Sequence, residues 1–525
     1  MKKKLLCTGL VACLLNACGG SGNDSDIPIP ENEEALYIWE EGVYYASDYY
    51  KDLCEVPRTG NDPFNNYQPY PDEAGDYFDE NFWLRSWVNE LYLWYDEVDD
   101  SDPYLHEPQE YFDRLKTTET TASGTNKDDF HFTVDTFEYL TNSVSGVSFG
   151  YGMQLAFIQS SAPREVRVYD VVPGSPADLA GVMRGMAIQS IDDEDLIYGS
   201  NVDVLNRGIS PEEQGERHKF VFKSYDDETL SVELESASIT EIPVKYTRVV
   251  ETDSGKVGYI HFNSHNYPAE AALNTAFSML LDVEDLVLDL RYNGGGLLAI
   301  AAEVGFMIAG EDVTKDLDFY KQQFNDKYPN RNPVTGQPLQ AVPFLKRAQG
   351  FTDDLAAGTQ LTQLFLPRVY ILATEDTCSA SEAIINGLRG AGIDVYLIGS
   401  TTCGKPYGFY PTDNCGTTYF SIQFAGVNND GFGDYANGFS PQNEPAAKGV
   451  VLPGCYVEDD FSKQLGDPEE GLFAAALQLR AAGTCPAVPD AAATKNKRAK
   501  ANTSFDEVAP IQGRKAYLEN MVLQP

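Results

Sequence analysis

Asp289-Leu290-Arg291-Tyr292-Asn293-Gly294-Gly295-Gly296 joins two apolar runs, Leu286–Leu290 before it and Leu297–Ala309 after it. The first run has the length of a buried strand and the second that of a helix. Between them, consecutive glycines allow backbone N–H groups to point into one concavity, as an anion or oxyanion site needs. Glycines also make plain strand-to-helix turns, so this stretch acquires meaning only from its neighbours. Working outward, Val257–Phe262, Val369–Ala373 and Val395–Ile398 read as further strands. Ala269–Leu281 and Ser381–Leu388 read as further helices, and a polar stretch fills 310–365. This alternation predicts an α/β architecture with buried strands.

Two more stretches stand at the same kind of junction. Thr377-Cys378-Ser379-Ala380-Ser381-Glu382 follows the strand Val369–Ala373 and opens a helix. A serine there has its Oγ near the helix N-terminus, where the dipole and free N–H groups stabilise developing negative charge. Ser379 and Glu382 are also spaced as a capping box, a purely structural role. Gly399-Ser400-Thr401-Thr402-Cys403-Gly404-Lys405 follows the strand Val395–Ile398, and Pro406 comes next. A lysine so bracketed can sit in a desolvated pocket. Burial lowers a lysine pKa from about 10.4 toward about 7–8, leaving a neutral amine able to accept a serine proton. A Ser–Lys dyad is then available.

The three stretches, in this order, resemble the D-L-R-x-N-x-G-G, S-A-S-E and G-K segments of the C-terminal processing peptidases, or tail-specific proteases, which are serine–lysine endopeptidases. The resemblance implies a crotonase/ClpP-like α/β catalytic domain with a β-rich PDZ domain and an N-terminal helical domain. Ser379 would be the nucleophile, with Ser381 as the alternative, and Lys405 the general base. The N–H groups of Ala380 and Gly295 would form the oxyanion hole. Two departures stand out. The turn at Gly390-Ala391-Gly392 holds one residue more than the family's spacing. Where the family often has a glutamine four residues after the lysine, this chain has Phe409, with Tyr407 or Tyr410 as possible substitutes. Upstream, Gly150-Tyr151-Gly152-Met153 resembles the carboxylate-binding loop of the family's PDZ domain. Pro173-Gly174-Ser175-Pro176-Ala177 through Arg184-Gly185 matches the helix and turn that follow. Such loops grip a terminal carboxylate while the peptide adds as a β-strand. The implied partners are polypeptides with free C-termini, and no metal or organic cofactor is implied.

The chain has 525 residues, 38 of them basic and 80 acidic, for a net charge of −42, so nucleic acid is excluded as a natural partner. Phe82–Tyr95 carries Leu84, Trp87, Val88, Leu91 and Tyr95 at helical spacing, predicting an amphipathic helix. Residues 1–18 combine three lysines, an apolar run from Leu5 to Leu15 and small residues. This is a signal-peptide layout, too short to span a bilayer. Leu15-Asn16-Ala17-Cys18 resembles the bacterial lipobox, which implies lipidation of Cys18 and a cell-envelope location, with Gly19 favouring the outer membrane, facing the periplasm or the surface. The membrane link would be the lipid alone.

The expected organisation is a signal peptide at 1–17, a tether at 18–35, an N-terminal helical domain at 36–140, a PDZ-like domain at 145–245, a catalytic domain at 246–485 and a flexible tail at 486–525. After Cys18 come Cys54, Cys378, Cys403, Cys415, Cys455 and Cys485, and an exported compartment permits disulfides. Cys403–Cys415 and Cys455–Cys485 are the sequence-near pairings to test first. No C-x-x-C or paired histidine spacing predicts zinc. Two other functions fit parts of the pattern. One is a peptide- or ligand-binding protein on the same fold with catalysis lost. The other is a Ser-His-Asp hydrolase using His261 or His265, although the G-x-S-x-G elbow is missing.

Overall fold

In the computed structural model, a six-stranded sheet carries the three motif stretches on three neighbouring strands. The structure describes residues 28–488 apart from 122, 212 and 446, so the leader, Cys18 and the basic run at 495–500 lie outside the described residues. The strands are β1 (Val244–Thr252), β2 (Gly255–Phe262), β3 (Asp285–Asp289), β4 (Arg368–Ala373), β5 (Asp394–Gly399) and β6 (Gly454–Tyr456), in that spatial order. Only β1 runs antiparallel to its neighbour.

Helices α1 (Ala269–Ser278), α2 (Leu298–Ala309) and α3 (Ala380–Gly390) follow β2, β3 and β4. Right-handed crossovers between sequential parallel strands put such helices on one face. There they bury Ile260, Leu288, Ile371 and Leu397 against Leu273, Ile300 and Ile384. On the opposite face α4 (Gly471–Ala482) packs Leu472 and Phe473 on Tyr259, Val287 and Leu372. With both faces covered, the strands read as the continuous apolar runs seen in the sequence.

Residues Val147–Thr240 form a separate β-rich unit around Val166, Val168, Ile188, Phe220 and Phe222. Arg184 docks it on the α/β unit, donating to Lys463 O at 2.9 Å and Asp460 O at 2.9 Å, and Tyr169 stacks on Tyr292 with centroids 3.8 Å apart.

The N-terminal region departs from a self-contained helical domain. Its long helix spans Tyr77–Leu91, earlier than the apolar spacing from Phe82 predicts, because Asp76 and Asp79 form a reciprocal cap. It stops before Tyr95, since Tyr92 turns to extended backbone and Leu93 N donates to Ile422 O at 2.8 Å. The core of this region is shared: Trp83, Trp87 and Phe112 pack with Phe409, Tyr419 and Phe420. Strand Phe132–Asp135 pairs antiparallel with Thr417–Phe420.

Among the described residues the disulfides are Cys54–Cys415, Cys378–Cys403 and Cys455–Cys485. The expected Cys403–Cys415 pairing is therefore wrong. The sheet carries Cys403 to the end of β5, beside the end of β4, whereas Cys415 faces the N-terminal region with its Cα 5.4 Å from that of Cys54. Among the described residues no helix is long and apolar enough to cross a membrane.

Candidate active site

Because β3, β4 and β5 are parallel neighbours, the loops at their C-terminal ends meet along one edge of the sheet, where α/β folds place their ligands. The glycine turn after β3 is held by Asn293. Its Oδ1 accepts the Gly295 N–H at 3.0 Å and its Nδ2 donates to Phe262 O at 3.0 Å. His265 Nδ1 lies 3.0 Å from the same Oδ1 and 3.1 Å from Gly295 O, so it donates there and braces the turn. Burial drives this histidine down to about 3, so it is neutral at any working pH. His261 is buried as well and neither ring nitrogen has a hydrogen-bond partner. A Cβ on Gly295 would fall 2.9 Å from Ser379 Cβ and 3.0 Å from Ala380 N, with φ at +110°, so only glycine fits here.

The loop after β4 is stitched to that turn. Cys378 N donates to Asn293 O at 3.1 Å and Ser381 Oγ to the same oxygen at 3.0 Å. Ser381 thus has its proton engaged, whereas the buried Ser379 Oγ has no hydrogen-bond partner. Ser379 sits at the N-cap of α3 with φ 56° and ψ −112°, a conformation a non-glycine residue adopts only when its surroundings impose it. The capping-box arrangement is present, and its Glu382 half is made: Oε2 accepts the Ser379 N–H at 3.1 Å. The next N–H, that of Ala380, has no partner among the described hydrogen bonds and opens the helix beside Gly295.

Glu382 also reaches the loop after β5. Its Oε1 accepts Gly404 N at 2.9 Å and Thr402 Oγ1 at 2.5 Å, and its Oε2 accepts Lys405 N at 2.8 Å. Burial pushes its carboxyl up to about 7, opposed by these donors. Lys405 is fully buried. Desolvation lowers its ammonium from 10.5 to about 7, partly opposed by the carboxylates of Asp128 and Glu382. Its Nζ lies 4.3 Å from the Phe409 ring and 4.9 Å from the Phe130 ring. Asp128, also buried, holds that roof by accepting Phe130 N at 2.8 Å and Tyr92 OH at 2.7 Å.

Sequence reasoning singled out Ser379, Lys405, Ala380 and Gly295, and the fold gathers all four. It did not find Asp128 and Phe130, since nothing in their local sequence marks them and the N-terminal region had to fold over the lysine. Position 409 supplies an aromatic wall. Tyr410 points elsewhere, its OH accepting Asn332 Nδ2 at 2.7 Å, and Tyr407 packs edge-on against Trp94. Cys378, Glu382 and Cys403 cluster closely enough for a metal, but both sulfurs are spent in the disulfide and offer no thiolate.

Behind the strand edge, Arg291 locks the motif from below, pairing with Asp289 at 2.9 Å, Glu470 at 2.8 Å and Asp459 at 2.9 Å. In the β-rich unit, Gly150-Tyr151-Gly152-Met153 forms the turn between its first two strands. The Tyr151 ring is buried against Phe220, and the N–H groups of Tyr151 and Gly152 have no partner among the described hydrogen bonds.

Residues 256–411, which span all three loops, match the model of peptidase family S41. Over these residues the chain is similar to that family. The chain is 26% identical over 281 residues to the carboxyl-terminal-processing protease of Picosynechococcus sp. PCC 7002, covering 51% of this chain and 57% of that protein. It is 29% identical over 177 residues to the chloroplastic carboxyl-terminal-processing peptidase 2 of Arabidopsis thaliana, covering 32% and 34%. The chain thus spans roughly a third to just over half the length of these curated relatives. A candidate S41 protease from Bacteroides fragilis NCTC 9343 shares the fold, with a TM-score of 0.54, 24% identity, and coverage of 79% of this chain and 100% of that one.

Proposed function

We propose that the protein is a serine endopeptidase that cleaves polypeptides near accessible C-terminal ends through a Ser379–Lys405 dyad. The observation that carries this reading is the pair's shared anchor: an unpartnered serine hydroxyl and a buried, easily neutralised lysine, with both backbone amides held by Glu382. Ser379 Oγ attacks the scissile carbonyl as Lys405 Nζ takes its proton. The oxyanion is met by the Ala380 N–H and by Gly295's, which a substrate must win from Asn293 Oδ1. Lys405 then passes the proton to the leaving amine, and water, deprotonated in turn by the lysine, hydrolyses the acyl-enzyme. Both side chains are sealed from solvent, so substrate entry requires the Phe130 roof to lift.

The unpaired amides of Tyr151 and Gly152 support capture of a terminal carboxylate by the PDZ-like unit. Three disulfides among the described residues fit an oxidising envelope compartment, with Cys18 as the proposed lipid anchor. The test is an unfolded polypeptide labelled at its C-terminus, incubated with purified protein carrying Ser379 or Ser379→Ala. Cleavage by the first alone supports the proposal. Binding without cleavage by the natural chain sinks it in favour of a peptide-binding protein, the reading that Phe409 in the glutamine's place favours.

A further inference from the structure

The bond that joins Cys378 to Cys403 lies inside the candidate active site, unlike the other two disulfides. Cys54–Cys415 ties the N-terminal region to the strand at Thr412–Asn414, and Cys455–Cys485 ties β6 to the segment after α4. Cys378 immediately precedes Ser379, and Cys403 lies two residues before Lys405, with Cα atoms 5.2 Å apart. Apart from this bond, the two loops are joined by Cys403 N donating to Thr377 O at 3.1 Å and by the donors gathered on the single carboxylate of Glu382. Ser379 meanwhile holds a positive φ, a geometry that persists only where neighbours over-determine it.

We propose that Cys378 and Cys403 are positioning residues for the reaction: their disulfide sets the serine turn against the lysine loop, so the peptidase reaches its full rate only when this bond is formed. The inference rests on the serine–lysine reading above. The chain would then be slowed about 10–100-fold in a reducing compartment and fully competent once oxidised. A dithiol reverses the state. Its thiolate attacks Sγ of Cys403, which lines a cavity of about 340 Å³, while Cys378 is fully buried. The S–S bond breaks, Cys378 leaves as a thiolate and takes a proton. The second thiol of the reagent then closes on the mixed disulfide, releasing Cys403 as a thiol. Two electrons pass from the dithiol, which ends as its own disulfide.

The experiment uses the full chain and the C-terminally labelled unfolded polypeptide. Oxidised protein is assayed, treated with a dithiol until alkylation and mass mapping show free thiols at 378 and 403, assayed again, then reoxidised. Expected are a fall in kcat of about 10–100-fold with KM little changed, the effect of misplacing reacting groups by about 1 Å, and recovery on reoxidation. Cys455→Ser/Cys485→Ser should respond to dithiol as the natural chain does. Cys378→Ala/Cys403→Ala should show the same low kcat, no response to dithiol, and cooperative unfolding. If that variant does not fold, the reduction and reoxidation series decides. If the bond resists the reagent, the variant decides. Full cleavage by protein with thiols mapped at 378 and 403, or by the folded variant, overturns the proposal. No cleavage by oxidised protein brings down the serine–lysine reading itself, a distinguishable failure.

Discussion

The backbone amides of Ser379 and Lys405 converge on one oxygen, Oε2 of Glu382, at 3.1 and 2.8 Å, which holds the two nitrogens within about 6 Å of each other. Residues at the ends of two different strands are thereby positioned by the side chain of a third, one helical turn into α3. Glu382→Ala should reduce cleavage at least about 100-fold and destabilise the fold by about 2–4 kcal/mol, because three backbone N–H groups lose their acceptor in a dry site. Glu382→Gln keeps one good acceptor and should fall between. Steady-state kinetics with urea unfolding on each variant checks the order.

The proposed reaction needs the amine of Lys405 neutral, and its lowered pKa of about 7 places that form above neutrality. The rate should therefore rise with pH through about 7, and Lys405→Arg should be inactive throughout, since guanidinium does not deprotonate. The sign for stability follows the same shift. Between about 7 and 10.5 the unfolded chain binds a proton at this position that the folded chain does not, so this group's contribution favours folding more as pH rises. Lys405→Met should raise stability by about 1–3 kcal/mol at pH 7 while abolishing cleavage, measured by thermal unfolding.

Asp128 acts on that lysine from the N-terminal region. Its negative charge raises the lysine pKa against burial, and its oxygens hold the Phe130 roof. Asp128→Asn retains the acceptor for Phe130 N but removes the charge, so the acid limb of the pH–rate profile should move to lower pH. An unmoved limb would show that the carboxylate does not reach the lysine electrostatically.

Gly295→Ala introduces a Cβ 2.9 Å from Ser379 Cβ at a φ of +110°. The turn or the serine must shift, and kcat should drop about 100-fold with little change in binding of a C-terminal peptide, measured by calorimetry.

Arg291 is wholly buried among Asp289, Glu470 and Asp459. Arg291→Leu strands the two buried carboxylates of Asp289 and Glu470 and should destabilise by about 3–5 kcal/mol in urea titration.

Much of the α/β unit was legible because parallel strands covered on both faces must be apolar throughout, so Leu286–Leu290 and Val369–Ala373 announced themselves. The same topology explains why Ser379, Lys405 and Gly295 could be proposed together: each follows a strand, and neighbouring strand ends meet. The long N-terminal helix was placed a turn late because its start depends on the Asp76–Asp79 cap rather than on apolar spacing. The roof over Lys405 and the Cys54–Cys415 bond left no local trace, since both arise from segments hundreds of residues apart. The Cys403–Cys415 expectation failed for the related reason that closeness along the chain says little once a sheet has rearranged its neighbours.

Trp83 and Phe112 find their packing partners in Tyr419 and Phe420, and Cys54 bonds to a cysteine 361 positions later. On the ribosome, the segment made early is therefore finished late. Until the second half of the chain emerges, Trp83 and Phe112 lack the cover that Phe409, Tyr419 and Phe420 supply, and such exposed apolar surface invites aggregation. Completion of this core thus runs against the direction of synthesis, its first-made residues being the last to be fully covered.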